Sequence, residues 1–396
     1  TMNFIKIFLI SILFSQIANS QNSTQSEFAA VDKKVLQIPL EMTRSTDQIA
    51  SYIASNFSSD KDKTRAAFVW VSTNISYDVQ NMYAVNLYEK EEDKIIKTLQ
   101  TRKGICSNYA NLFAEICTKV GIKAYVVGGY TKQKTTIDLL SHAWTAANID
   151  GKWFLFDPTW ASGYVSGGKF TKKLNNTFFK VNPETFIKTH MPFDYLWQLL
   201  EYPITNQEFY DGKIQQNKTK PKFNFKEELT IYDNQTEVDQ LRASAARVEK
   251  NGVINALIFD QLKYLKLQAE TTQQNIVVSK FNEASAAYND GIYAYNDFIN
   301  YRNKQFKPQL ADNTIQEMID NASGNIQKAK SIIAEIPNAD ASTTVLIKQL
   351  SRAIDDASSN LAEQQDWLKI YFNKGKLARK SMFFERKASL FGIPLN

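Results

Sequence analysis

The spacing of hydrophobic positions divides the chain into a mixed first half and a helical second half. From residue 45 to residue 121, apolar side chains recur every three or four positions, which is typical of amphipathic helices. The helices predicted there cover residues 45–57, 60–75, 93–100 and 106–121. β-Branched and aromatic residues then dominate three short runs, which predict strands over 122–130, 142–149 and 152–157. We therefore predict one α+β domain over residues 35–212.

The turn between the last two strands predicts their register. Asp150 and Gly151 form a two-residue hairpin signal, which pairs Ile149 with Lys152. Because side chains alternate between the faces of a strand, His142 and Asp157 are expected on the same face as diagonal neighbours, about 7–8 Å apart at Cα. A slip of one residue would place them on opposite faces.

The second half has a different pattern. From about residue 222, glycine and proline nearly vanish, and amphipathic stripes predict four long helices. They cover residues 238–268, 277–306, 315–336 and 343–382, with Pro308 and Pro337 between helices. We predict an antiparallel helical bundle domain over residues 213–396.

The first residues resemble a targeting segment. Lys6 precedes an apolar run over 7–14, and Ala18-Asn19-Ser20 offers the small-x-small pattern of a signal-peptidase site. We expect a signal peptide over 1–20 and a disordered polar leader over 21–34, with an uncleaved anchor as the alternative. The apolar run is too short to cross a bilayer as a helix. A secreted or periplasmic protein with no integral membrane span after cleavage is therefore predicted.

Composition and charge narrow the classes of protein. The 396 residues are 43% hydrophobic and 22% charged, which excludes collagen-like and wholly disordered chains. The 47 basic and 41 acidic residues give a net charge of +6 without a basic stripe, so no nucleic-acid partner is expected. The two cysteines, Cys106 and Cys117, fall on one predicted helix about 16 Å apart, which is too far for a disulfide.

Three residue types suited to nucleophilic catalysis lie in the α+β domain. Cys106 begins a helix just after Gly104, where free N–H groups and the helix dipole stabilise a thiolate. With His142 as base and Asp157 orienting it, the set is a Cys–His–Asp triad for covalent acyl transfer. The alternatives are a small core cysteine, a surface histidine and a turn aspartate. Cys117, inside an apolar helix, is expected to be a core residue.

The same residues resemble a known family. Residues 102–113 (RKGICSNYANLF), 142–144 (HAW) and 153–160 (WFLFDPTW) match the core of the transglutaminase-like superfamily in order and spacing. His190-Met191-Pro192 and the segment 197–200 (WQLL) are similar to the branch that contains kyphoscoliosis peptidase. The resemblance covers about residues 45–210 and does not extend to the helical tail.

The resemblance implies a papain-like fold, with Cys106 as nucleophile, His142 as base and Asp157 as orienting acid. It implies attack on a peptide or carboxamide carbonyl of a protein or peptide substrate, through a thioester. A cysteine protease or amidase is the favoured interpretation. The alternatives are a cross-linking transglutaminase and a non-catalytic scaffold whose helices recruit a protein partner. No cofactor or metal is implied, because no acidic cluster resembles the calcium sites of animal transglutaminases.

Overall fold

The computed structural model describes residues 27–83, 89–215 and 217–384, so the predicted signal peptide over 1–20 lies outside the described residues. The chain divides into two compact units, Thr1–Lys266 and Leu267–Asn396. None of the helices in the described ranges has both the length and the apolar character needed to cross a membrane.

The first unit is an α+β domain. Its helices are α1 Ala29–Val35, α2 Thr46–Asn56, α3 Asp60–Asn74, α4 Glu91–Thr101, α5 Cys106–Lys119, α6 Pro158–Ser162, α7 Pro183–Phe186, α8 Asn206–Tyr210, α9 Phe225–Asn234 and α10 Glu237–Lys250. Its strands are β1 Ser76–Tyr77, β2 Lys103–Gly104, β3 Ala124–Gln133, β4 Thr136–Ile149, β5 Lys152–Phe156, β6 Gly163–Ser166, β7 Lys169–Lys172 and β8 His190–Pro192. Short 3₁₀ turns cover Leu40–Thr43, Asn176–Phe178 and Tyr195–Gln198.

Helix α5 lies at the centre of this unit. It packs on α2 and α3 and against strands β3 and β4. Tyr109, Phe113 and Cys117 are fully buried on it, so the prediction that Cys117 is a core residue is confirmed. The Tyr109 hydroxyl donates to the Ile75 carbonyl at 2.9 Å, which fixes the helix against the end of α3. The first residue of α5 is thereby held on a rigid element.

The main sheet is antiparallel, in the order β5-β4-β3-β8. Ile149 pairs with Lys152 and Thr145 with Phe156, which confirms the predicted hairpin register. The turn follows from Asp150 and Gly151, both of which have positive φ. The strand ends at Phe156, one residue before the predicted end, because Asp157 caps helix α6.

The expectation of a disordered leader over 21–34 is wrong for its final residues. Helix α1 buries Val31 and Val35 in the main core, together with Phe28 just before it. Asp32 accepts two hydrogen bonds from the buried Arg65 guanidinium, both at 2.7 Å. Polar residues surround the few apolar positions of this segment, so the sequence pattern did not predict a helix. Helix α1 is instead stabilised by its contact with Arg65.

The division between the units lies at Lys266 and Leu267, whereas the sequence placed the boundary between residues 212 and 213. Helices α9 and α10 pack on the domain through buried Leu229 and Val248. Arg247 of α10 also donates to both carboxylate oxygens of Asp194 at 2.7 and 2.8 Å. These contacts join residues 225–250 to the first unit.

The second unit is helical. Helix α11, Ala256–Asn303, continues into it from the first unit, and α12 Asp312–Ala334, α13 Ala341–Phe372 and α14 Lys376–Ser381 follow. The first three of these helices share one apolar cluster that includes Phe298, Ile326 and Leu361. The predicted break over 269–276 is absent. The helical structure is interrupted instead between Lys250 and Ala256. Gly252 in this segment has a φ of +96°, and its carbonyl accepts a hydrogen bond from the Asn206 side chain.

Two adjacent glycines of β3 give a matched test of how tightly this strand packs against β4 and β8. A Cβ at Gly129 would lie 2.2 Å from the Met191 carbonyl oxygen and 2.4 Å from the Trp144 ring, whereas a Cβ at Gly128 would meet Phe193 at 3.8 Å. We expect Gly129→Ala to lower the free energy of unfolding by about 1–3 kcal/mol or more, because backbone must move. Gly128→Ala is expected to change it little. Urea unfolding of both variants checks this, and equal losses would contradict the packing described.

Candidate active site

Cys106 is the first residue of helix α5. Ile105 precedes it and supplies no capping side chain. The Ile105 carbonyl accepts from the Asn108 N–H at 2.9 Å, which leaves the N–H groups of Cys106 and Ser107 without an intrahelical acceptor. The Asn108 side chain accepts from the Ile105 N–H at 2.9 Å and donates to Thr98 Oγ1 at 2.9 Å. A Cβ at Gly104 would lie 2.5 Å from the Asn108 Cβ, so only glycine leaves room for the Asn108 side chain in this position. Cys106 is partly exposed and forms no disulfide.

The structure brings the three predicted residues together. His142, on β4, has Nε2 2.8 Å from Oδ2 of Asp157, the residue that follows β5. Cys106 interacts with the same imidazole and favours its charged form. Thr145, three residues after His142, donates to the Ala110 carbonyl of α5 at 3.2 Å. This bond fixes the strand that carries the histidine against the helix that carries the cysteine.

The electrostatics favour a charged His142–Asp157 pair. Burial by itself lowers the pKa of His142, but the charge and hydrogen bond of Asp157, followed by the interaction with Cys106, raise it to about 10. Burial also opposes ionisation of Asp157, yet His142 and a hydrogen bond from His190 hold its pKa well below the usual range. An imidazolium beside a carboxylate is therefore the stable form at neutral pH.

Asp157 is completely buried, and four donors surround it. Its Oδ1 accepts from the backbone N–H groups of Thr159 and Trp160, at 2.9 and 3.0 Å. Its Oδ2 faces Nε2 of both histidines, His142 at 2.8 Å and His190 at 3.1 Å. The carboxylate thus caps helix α6 while it orients the imidazole.

Sequence reasoning missed two members of this group. The sequence places His190 only in the family resemblance over residues 190–192 and not in the triad, although it is one of only two histidines in the chain. Tyr77 on β1 lies near Cys106 and Asp157, and burial, followed by electrostatic interactions with these two residues, raises its pKa to about 12. The scarcity of histidine was the signal that could have identified His190, whereas Tyr77 gave none.

The aromatic residues around His142 differ in exposure. Trp144 is fully buried, and its ring centroid lies 6.1 Å from that of His142. Trp160 is partly exposed, with its centroid 5.6 Å from the His142 ring. Trp144 is therefore a packing residue, and Trp160 is the aromatic surface available to a ligand at His142.

Two further features border the triad. His142, Asp157 and His190 place donor atoms within 4.8 Å of one another, a set that could hold a metal ion, but hydrogen bonds to one carboxylate oxygen account for that spacing. A polar cavity of about 470 Å³ lies beside the start of α5, lined by Ile105 and Ser107 but by none of the three triad residues. The cavity therefore lies beside the three predicted residues and does not include them.

The raised pKa of His142 predicts how stability depends on pH. Its folded-state pKa is about 10 and its reference value is 6.5, so its stabilising contribution is complete below pH 6.5 and is lost as pH rises towards 10. The Asp157 contribution stays in place over that window, because its pKa is lowered from 3.8. We expect wild type to lose its advantage over His142→Gln between these two pH values, as measured by urea unfolding. A constant difference would contradict the ion pair.

Comparison with known proteins agrees with this geometry. Residues 47–158 match the family described as the transglutaminase-like superfamily. Mouse kyphoscoliosis peptidase is 30% identical over 190 residues, which are 46% of this chain and 28% of that protein. Hillarin of Drosophila melanogaster is 23% identical over 203 residues, 46% of this chain and 24% of that protein. The chain thus spans about a quarter of the length of these relatives.

A solved structure is also similar. The periplasmic domain of TgpA from Pseudomonas aeruginosa is 20% identical, with a TM-score of 0.25 over 33% of this chain and 49% of that one. The family match covers the helix that carries Cys106 and the hairpin that carries His142 and leads to Asp157. Residues 47–158 therefore belong to the transglutaminase-like superfamily, in the branch that contains kyphoscoliosis peptidase.

Proposed function

We propose that this protein is a thiol acyl-transfer enzyme that attacks peptide or carboxamide carbonyls through a thioester at Cys106, with water as the main acceptor. The observation that carries the proposal is the position of His142, which interacts with Cys106 while its Nε2 lies 2.8 Å from Asp157 Oδ2. Since Nε2 faces Asp157, Nδ1 is the ring nitrogen left for the thiol. This is the order nucleophile, base, orienting acid that covalent acyl transfer needs.

In the first step the Cys106 thiolate attacks the carbonyl carbon, and a C–S bond forms. The two electrons of the C=O π bond move to oxygen, where free N–H groups at the start of α5 can donate to the oxyanion. As the intermediate collapses, the C–N bond breaks and His142 gives its proton to the leaving amine or ammonia. The product is a thioester on Cys106 and a neutral imidazole.

In the second step an acceptor attacks the thioester. Neutral His142 takes a proton from water or from an amine, the new C–O or C–N bond forms, and the C–S bond breaks to return the thiolate. Cross-linking requires an amine to outcompete water, which an enclosed, dry groove would favour. Cys106 is partly exposed. This exposure supports hydrolysis, and thus a protease or amidase, over a cross-linking transglutaminase.

The acceptor and the activity are tested in one reaction. The protein is incubated with a mixed peptide library in H₂¹⁸O together with a fluorescent primary amine, and the products are read by mass spectrometry. We expect ¹⁸O-labelled carboxylates to exceed amine adducts, and both to depend on Cys106. A majority of amine adducts would support the cross-linking alternative. If neither product forms, the non-catalytic scaffold with a protein partner on its helices replaces this proposal.

A further inference from the structure

His190 is placed with unusual rigidity for a residue outside the predicted triad. It begins strand β8, pairs with Thr131 of β3, and its side chain is fully buried. Phe186 stacks on its ring with centroids 4.0 Å apart, and the Trp160 centroid lies 4.6 Å away. The ring therefore has little freedom to turn away from its polar partners.

The two ring nitrogens of His190 have different partners. Nε2 lies 3.1 Å from Asp157 Oδ2, which is an acceptor when ionised, so this nitrogen carries a proton. Nδ1 lies 2.8 Å from the Thr189 hydroxyl, which can donate to it in preference to the Phe186 carbonyl 3.5 Å away. Burial lowers the pKa of His190, which favours the neutral ring. Together these contacts specify a neutral imidazole with its single proton on Nε2, in contrast to the charged His142.

We propose that His190 is a positioning residue of the active site: a neutral donor, fixed in its tautomer by Thr189, that holds the Asp157 carboxylate ionised and aimed at His142. The inference rests on the proposed function, since it assigns His190 a role only if Cys106 and His142 react as a pair. Both ring nitrogens of His190 are engaged, Nε2 by Asp157 and Nδ1 by Thr189. His190 acts through Asp157.

The effect depends on the low solvent exposure of Asp157. A carboxylate removed from water stays ionised only while donors replace the lost hydration. His190 supplies one of the four, and its hydrogen bond lowers the pKa of Asp157. If Asp157 took up a proton, His142 would lose its counter-ion. The imidazolium that pairs with the Cys106 thiolate would then be less stable. Three other titratable groups interact electrostatically with His190 and Asp157. Asp138 interacts with His190, and Tyr77 and Tyr109 interact with Asp157.

The test compares variants at this position in the full-length protein. His190→Phe keeps an aromatic ring and removes the donor, His190→Gln keeps an N–H near the position of Nε2, and Thr189→Val removes the hydroxyl that fixes the tautomer. The rate of Cys106 alkylation by iodoacetamide is followed from about pH 4 to pH 9 by peptide mapping. A shift of one pH unit in the acidic half of the profile corresponds to about a tenfold slower reaction at a fixed acidic pH.

We expect the acidic half of the profile to move to higher pH by about one unit in His190→Phe, by less in Thr189→Val, and hardly at all in His190→Gln. Urea unfolding of the same variants distinguishes this positioning role from a packing role. A packing role would lower stability without moving the pH profile of alkylation. Superimposable profiles for wild type and His190→Phe would overturn the inference while leaving the proposed function intact. A wild-type Cys106 that reacts only at alkaline pH would instead overturn the proposed function, and this inference with it.

Discussion

A Cys106→Ala variant is expected to lose acyl transfer by more than about 10⁴-fold while its unfolding midpoint stays close to that of wild type. In the proposed reaction the Cys106 sulfur is the nucleophile, and alanine has no group that can replace it. The side chain is small, partly exposed and outside the buried core, so its removal leaves no large cavity. Activity is read as ¹⁸O incorporation and stability as the urea midpoint.

Cys117→Ala is the matched control for this prediction. Cys117 lies on the same helix but is fully buried, and burial raises the pKa of its thiol. We expect this variant to lose stability by about 1 kcal/mol and to keep its activity per folded molecule. A large loss of stability in Cys106→Ala, with activity unchanged, would show that Cys106 is a packing residue.

Asp157→Asn is expected to damage both activity and stability. The amide cannot balance the charge of the imidazolium, and its NH₂ group would face the N–H of His142 or of His190 in place of an acceptor. Loss of an orienting carboxylate of this kind lowers turnover by about 10⁴-fold. Breaking a buried ion pair costs about 3–5 kcal/mol. Product formation and urea unfolding measure the two effects.

Asp194→Asn provides the matched comparison, because Asp194 is also a buried aspartate that caps a short helix and is paired to a cation. It accepts from the Leu196 N–H at 3.0 Å and from Arg247 at 2.7 and 2.8 Å. We expect a similar loss of stability with little change in activity per folded molecule. Equal losses of activity in the two variants would mean that Asp157 matters only for folding.

The parts of the site that could be predicted are those fixed by local rules. Asp150 and Gly151 determine the turn, the turn determines the register, and the alternation of side chains then places His142 and Asp157 on one face. Gly104 followed by an apolar stripe predicts that a helix begins near Cys106. These features depend on neighbours along the chain, and therefore the sequence contains them.

The parts that could not be predicted depend on distant contacts. Helix α1 is stabilised by the ion pair of Asp32 with Arg65, and helices α9 and α10 by burial against the sheet. His190 meets Asp157 only because β8 is the fourth strand of the sheet, 33 residues further along the chain. The spacing of apolar residues along the chain does not predict this pairing.

The central claim is that Cys106 is activated by His142, and the most direct test is competitive alkylation of the two cysteines in the native protein. The protein is treated with limiting iodoacetamide near pH 6, alongside His142→Ala, and the label is mapped by mass spectrometry. The account predicts rapid labelling confined to Cys106, at least about tenfold slower in His142→Ala, with buried Cys117 unlabelled in both. Slow labelling of Cys106 that is unaffected by His142→Ala would contradict the account.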